Sequence, residues 1–243
     1  MKFGIRLALA AAALVSSLSA QAGVLRTTLT FDSVDTSTLA YGDMGFLVDG
    51  DEFYQPGLNG QPMFVAPFSN SAFAQPGDLV GALVNGACQD LLCPVNNPTT
   101  YLSMLDDGVV VFGSTDGFRF SVKSFSASFI GSGDPAAATR GLVRLQGMRG
   151  GQATTATFTL GAPQNGFLNF STFNTGTFGN TEFDVVYAYG FACGTSTCNA
   201  FSTNQAQFAL DDIVIEHVPE PGSLALLAIA GLAAGRVTRR RAA

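Results

Sequence analysis

The chain has 243 residues, with 12 Lys and Arg against 18 Asp and Glu. Six of the basic residues and one of the acids lie in the end segments 1–22 and 219–243, so the body between them holds six basic and 17 acidic side chains, a net charge of −11. That balance disfavours nucleic acid and anionic membranes as partners, because their phosphates need basic contacts.

The first 22 residues, MKFGIRLALAAAALVSSLSAQA, combine a basic start (Lys2, Arg6), an apolar run from Leu7 to Leu18 and the small-x-small triplet Ala20-Gln21-Ala22. Those parts in that order predict a secretory signal peptide cut by signal peptidase after Ala22, and exclude the segment from the fold.

The body, residues 23–218, is long enough for one domain with a real core. It has no tryptophan, is rich in Phe, Gly, Ser and Thr, and lacks helix-period runs. An all-β fold follows, with helix expected only in the two end segments. Leu25 to Phe31 alternates as a half-buried strand. A loop-rich stretch is expected from there to Gly77, then a strand over Asp78–Val84. Val109–Phe112, an Asp116-Gly117 turn and the alternating Phe118, Phe120 and Val122 predict a hairpin feeding a long strand. A second hairpin is expected where GLVRLQGM and ATTATFTL flank Gly150-Gly151. Runs ending at Phe191 and Glu216 supply the last strands. Short strands with regular turns predict an antiparallel β-sandwich, jelly-roll-like.

Four cysteines fall as two pairs with the same gap, Cys88 with Cys93 and Cys193 with Cys198. In an exported chain this suggests disulfides closing two short loops, although four cysteines allow three connectivities. Zinc would want tighter Cys-x-x-Cys spacing. Asp49, Asp51 and Glu52 read as a solvated turn without the spacing of an EF-hand loop, and Asp106-Asp107-Gly108 as another turn.

Catalysis has little support. The one histidine, His217, stands at the end of the body, and Ser-His-Asp or Cys-His chemistry needs an imidazole. Carboxylate pairs for a glycosidase are plentiful but none is singled out. A sugar platform without tryptophan would use Tyr41, Tyr54, Tyr101, Tyr187 or Tyr189. Tyr187 and Tyr189 share one face of a strand and are the best pair, although two tyrosines lining a sheet with wet hydroxyls is the plainer reading.

The tail VPEPGSLALLAIAGLAAGRVTRRR closes the chain. Gly222 to Gly235 is uncharged, short for the ~30 Å hydrocarbon core, and Arg236, Arg239, Arg240 and Arg241 follow it. Pro219-Glu220-Pro221, a short apolar transmembrane helix and a basic end resemble the PEP-CTERM sorting signal of Gram-negative bacteria. The resemblance implies transient residence in the inner membrane, cleavage near Pro-Glu-Pro by an exosortase, and delivery to the cell surface or extracellular matrix. It also implies association with exopolysaccharide. Proline disfavours helix at the residue before it, which keeps the motif extended.

Gln207-Phe208-x-x-Asp211 resembles a Gln-Phe-x-x-Asp ending found before this tail in one group of such proteins. Asp32 on the first strand and Asp211 on the last resemble carbohydrate-binding jelly rolls, where those strands pair and share a structural calcium. The resemblance makes Asp32 and Asp211 candidate ligands, with Asp212 as substitute. Solvent-facing or turn-capping carboxylates are the plainer reading, because the family often has glutamate on the first strand. The expected protein is thus non-enzymatic, exported, and structural or adhesive. The alternatives are a calcium-stabilised carbohydrate-binding module and, more distantly, a glycoside-acting enzyme.

Overall fold

Alternation along the chain decides the architecture, since successive side chains of a strand point to opposite faces. The computed structural model describes residues 23–86, 91–131, 140–194, 196–202 and 204–218. The signal peptide with Ala20 and Ala22, the tail with Pro219, Glu220 and Pro221, and Cys88 lie outside the described residues. Arg26–His217 forms one compact unit.

The strands are β1 (Leu25–Leu29), β2 (Phe46–Val48), β3 (Phe53–Pro56), β4 (Pro62–Ser69), β5 (Leu79–Val84), β6 (Tyr101–Met104), β7 (Gly108–Ser114), β8 (Ser121–Phe129), β9 (Arg140–Arg149), β10 (Gln152–Thr159), β11 (Ser171–Asn174), β12 (Val185–Cys193), β13 (Cys198–Asn199) and β14 (Phe208–His217). Among the described residues the only helical pieces are single 3-10 turns. The strands form two seven-stranded sheets. One runs β11-β8-β14-β6-β5-β2 with β1 beside β14; the other runs β10-β9-β12-β7-β4-β3 with β13 beside β12. Neighbours along both orders run antiparallel. The chain is an all-β, antiparallel two-sheet sandwich.

Phenylalanine fills the space between the sheets. Phe31, Phe53, Phe112, Phe120, Phe125, Phe183 and Phe208 are all fully buried, each worth roughly 1.5–3 kcal/mol of apolar transfer. Their rings meet edge-on, tilted or stacked, as in Phe125–Phe158 at 4.9 Å, Phe178–Phe183 at 4.6 Å and Phe125–Phe173 at 5.4 Å. Such geometry suits the ring quadrupole, and phenylalanine brings no buried polar atom that needs a partner.

Three expectations are corrected. The segment across Asp116-Gly117 is not a hairpin: β7 pairs with β4 and β12, whereas β8 pairs with β11 and β14 in the other sheet. The turn carries the chain from sheet to sheet, and Phe112 and Phe120 face each other across the core at 6.0 Å. Alternation is the same in both arrangements, so it does not separate them. The stretch from Asp32 to Gly77 is loop-rich but holds strands where none was expected, β2, β3 and the eight-residue β4, which pairs with β7. Nor is Asp51 solvated. It is 8% exposed and its two carboxylate oxygens accept the Ala40 and Val48 N–H groups.

The second expected hairpin is present. β9 and β10 pair without interruption, and Gly150 and Gly151 both take positive φ, 56° and 81°, which a two-residue loop of this twist requires. Cys193 and Cys198 form a disulfide that ties β12 to β13. Cys93 is also disulfide-bonded.

Gly147 of β9 is packed closely by Phe183 of the β11–β12 connection: a Cβ there would lie 2.4 Å from its ring. Gly147→Ala is therefore expected to destabilise the domain by about 1–3 kcal/mol, lowering the melting temperature by roughly 2–4 °C per kcal/mol. Thermal unfolding of residues 23–218 checks this, and an unchanged melt would contradict the close packing.

Candidate functional site: an aromatic face and a buried carboxylate

β12 shows how one strand serves two faces. Val186 and Ala188 are fully buried against the other sheet, while Val185, Tyr187, Tyr189 and Phe191 alternate with them and remain half-exposed. Register extends this outer face across the sheet. Tyr187 lies beside Val111 and Gln146; Tyr189 lies beside Val109 and Arg144. On β4, Phe68 aligns with Val109 and Phe64 with Gly113, and Tyr54 of β3 aligns with Phe64.

These rings cover one another. Phe68 meets Tyr187 edge-on at 6.3 Å, and Tyr189 lies 5.7 Å from Phe191 and 5.3 Å from Phe201. A Cβ on Gly113 would come within 2.7 Å of the Phe64 ring, so glycine lets that ring lie close against the sheet. Polar groups are interleaved. The Tyr189 hydroxyl donates to Gln146 Oε1 at 3.2 Å. Arg144 Nε donates to Thr157 Oγ1 at 2.9 Å, with its guanidinium 4.7 Å from the Phe191 ring centre, a cation–π distance. The face thus offers broad aromatic surface with a few oriented polar groups, the combination that suits a ligand with apolar C–H faces and hydroxyl edges.

Tyr187 and Tyr189 therefore do share a face. Their neighbours Phe64, Phe68, Phe191, Phe201, Arg144 and Gln146 were not singled out from sequence. Only knowledge of which strands lie side by side could have gathered them. Tyr101 is removed from the platform candidates: it is fully buried against Phe170 at 5.2 Å, and burial pushes its hydroxyl up to about 12. Tyr41 lies outside this aromatic face, beside a cavity of about 290 Å³ formed with Met44, Phe46 and Leu79.

The acidic pair is held differently from a metal site. Asp32 is exposed, and its Oδ1 accepts the Thr100 N–H at 2.9 Å. Asp211 is 1% exposed, so it is not the solvent-facing residue of the plainer reading. Its Oδ2 accepts from Asn97 Nδ2 at 2.6 Å and Thr99 Oγ1 at 3.2 Å, and its Oδ1 accepts the Asp212 N–H at 2.8 Å. Asn97 Oδ1 is itself taken by the Thr99 N–H and shares the single Thr99 hydroxyl proton with Asp211, which fixes the amide with its donor toward Asp211. The two carboxylates anchor one segment, Asn97–Thr100, to the turn after the first strand and to the last strand. Calcium needs six to eight oxygen ligands, whereas three of these four carboxylate oxygens accept from N–H or O–H donors. No group of three or more acidic, His or Cys side chains stands together among the described residues. The donor set does not fit calcium.

Gln207 and Phe208 have local roles: Gln207 Nε2 donates to Asn204 O at 3.1 Å, and Phe208 is fully buried. His217 ends β14, with Nδ1 3.3 Å from Glu182 and its ring against Phe118.

Residues 217–241 match the PEP-CTERM protein-sorting motif. That motif implies export, processing by an exosortase, and a surface or extracellular destination. No characterised protein matches the sequence. Among solved structures, a DUF4465 family protein from Bacteroides caccae ATCC 43185 has a TM-score of 0.47 at 14% identity, covering 78% of this chain and 98% of its own. A DUF4465 family protein from Bacteroides ovatus ATCC 8483 has a TM-score of 0.41 at 13% identity, covering 80% and 99%.

Burial raises the Asp211 carboxyl above its ordinary value, and the Asn97, Asp212 and Thr99 hydrogen bonds offset that only in part. A raised folded value means that the proton binds the folded state more tightly. This group therefore favours folding below the ordinary aspartate range, and that contribution is lost as pH rises through the raised value. Asp211→Asn removes the titration. Stability of the native chain relative to Asp211→Asn is expected to improve as pH falls from neutral to about 4. Chemical denaturation of both at several pH values checks this, and parallel pH profiles would contradict it.

Proposed function

We propose that this is a non-enzymatic, exported surface or matrix protein that adheres to extracellular polysaccharide through the outer face of the second sheet. The observation that carries the reading is the row of rings centred on Tyr187 and Tyr189. Large aromatic side chains stand on the solvent side of a sheet whose core is already filled by other phenylalanines. Pyranose rings present C–H faces that such surfaces hold by apolar contact, while the Tyr189 hydroxyl, Gln146 and Arg144 are placed to meet hydroxyl groups. The sorting motif supports the location, and the acidic body is compatible with a secreted protein that avoids nucleic acid.

In this reading the Gln-Phe-x-x-Asp ending assigns the chain to a group of sorted proteins. Its three side chains are retained for folding rather than for binding. The sandwich serves as a rigid support, jelly-roll-like in the general sense of two sheets presenting one face. Calcium stabilisation is the feature of the carbohydrate-binding-module alternative that the Asp211 surroundings do not favour.

Two outcomes test the reading. Retention on polysaccharide purified from an exopolysaccharide-producing bacterium should weaken in Tyr187→Ala/Tyr189→Ala by roughly 5- to 150-fold, from about 0.5–1.5 kcal/mol per ring. Tyr41→Ala should leave retention unchanged. Equal binding by native and double-variant protein, measured by affinity electrophoresis, would sink the assignment of the face. Separately, Glu220→Ala should make an uncleaved, membrane-held form accumulate in cells with an exosortase. Unchanged processing would contradict sorting through the Pro-Glu-Pro motif.

A further inference from the structure

The two strand orders end on β11, β2, β10 and β3, with β1 and β13 as side branches of five and two residues, and three of the four ends are guarded. β2 is three residues long and its register slips between Leu47 and Val48. β3 has four residues and closes on Pro56, and β11 has four residues. Shortness, proline and bulges are the means by which sheets keep their edges from pairing with other chains. β10 has none of them. It runs for eight residues, Gln-Ala-Thr-Thr-Ala-Thr-Phe-Thr, without charge, glycine or proline, and six of its side chains are exposed. Its register with β9 is unbroken from Gln152 opposite Arg149 to Thr159 opposite Leu142.

The phase of the free edge follows from one hydrogen bond. Leu160 N–H donates to Gly141 O at 2.9 Å, in register with the β9–β10 pairs. Bonded and non-bonded pairs alternate in an antiparallel ladder. Phe158, Ala156, Thr154 and Gln152 therefore bond β9, while Ala153, Thr155, Thr157 and Thr159 turn their N–H and C=O groups to the open side. These four positions are symmetric about Ala156.

We propose that β10 pairs antiparallel with β10 of a second copy of this chain, about a two-fold axis through Ala156. Thr155 then lies opposite Thr157 of the second copy, and Ala153 opposite its Thr159. Each pair exchanges two backbone hydrogen bonds, and threonine pairs add cross-strand contact. Because the outward positions are evenly spaced about Ala156, a second copy satisfies all of them at once and the contact closes as a dimer. The two second sheets become one, setting two aromatic faces side by side, and a polymer spanning both would gain by multivalency. Bodies of net charge −11 repel each other, so the dimer should strengthen as salt screens them.

At the axis Ala156 meets Ala156 of the second copy in a non-hydrogen-bonded pair, with Cα atoms about 4.5 Å apart, within disulfide reach. The test uses the full chain in mild detergent carrying Ala156→Cys, under mild oxidation at several salt concentrations. A disulfide-linked dimer on non-reducing gels, increasing with salt, is expected. Ala153→Cys, which the register sets opposite Thr159, should not link. Adding Thr155→Pro removes an N–H that β9 does not use, and should abolish the Ala156→Cys dimer while thermal unfolding stays cooperative. A chain that remains monomeric with Ala156→Cys unlinked would overturn the proposal. So would equal linking through Ala153→Cys, or a dimer that survives Thr155→Pro.

Discussion

The structure depends on where its last strand goes. β14 does not close an edge; it runs between β8 on one side and β6 and β1 on the other. Leu210 and Asp211, in the middle of that strand, are each 1% exposed. The first sheet is therefore incomplete until residues 208–217 arrive, after nearly all of the body. Pairings so distant in sequence make folding slow and keep unpaired edges open in the meantime. The buried Asp211 adds to the constraint, since its hydrogen bonds to Asn97 and Thr99 couple the last strand to a loop more than a hundred residues earlier. Burial of a carboxylate costs stability at neutral pH, and the donors around it recover part of that cost.

This placement separates the body from its address. The sorting motif begins at residue 217, where β14 ends. A cut near Pro-Glu-Pro would remove none of the described strands and leave the first sheet whole. Folding and sorting thus meet at one boundary without sharing residues beyond it. The aromatic face lies on the other sheet, made by β12 and its neighbours. There the same alternation that puts Val186 and Ala188 in the core puts Tyr187 and Tyr189 outside.

Much of the fold was legible because strand alternation and turn chemistry are local. β1, β5, β7 and β14 stand close to where their residues alone put them, and Gly150-Gly151 announced its hairpin through a conformation that glycine readily takes. Which sheet a strand joins is not local, so the Asp116-Gly117 crossover read as a hairpin. β4 was hidden by Pro62 and Pro67, which look like loop residues. The site divided along the same line. Tyr187 and Tyr189 sit two apart on one strand, so their common face could be read directly. Phe64, Phe68, Arg144 and Gln146 come from β4 and β9, and only the register of the second sheet brings them beside those tyrosines. Asp32 and Asp211 both reach the Asn97–Thr100 segment, but the partners there are N–H and O–H donors supplied by a loop that had no distinguishing pattern.

The most direct measurement is amide hydrogen exchange of the body with and without bound exopolysaccharide. The account predicts slowed exchange concentrated on Tyr187–Phe191 of β12 and on the neighbouring stretches of β4 and β9, with the first sheet unchanged. Protection confined to the first sheet, or to the cavity beside Tyr41, would contradict it.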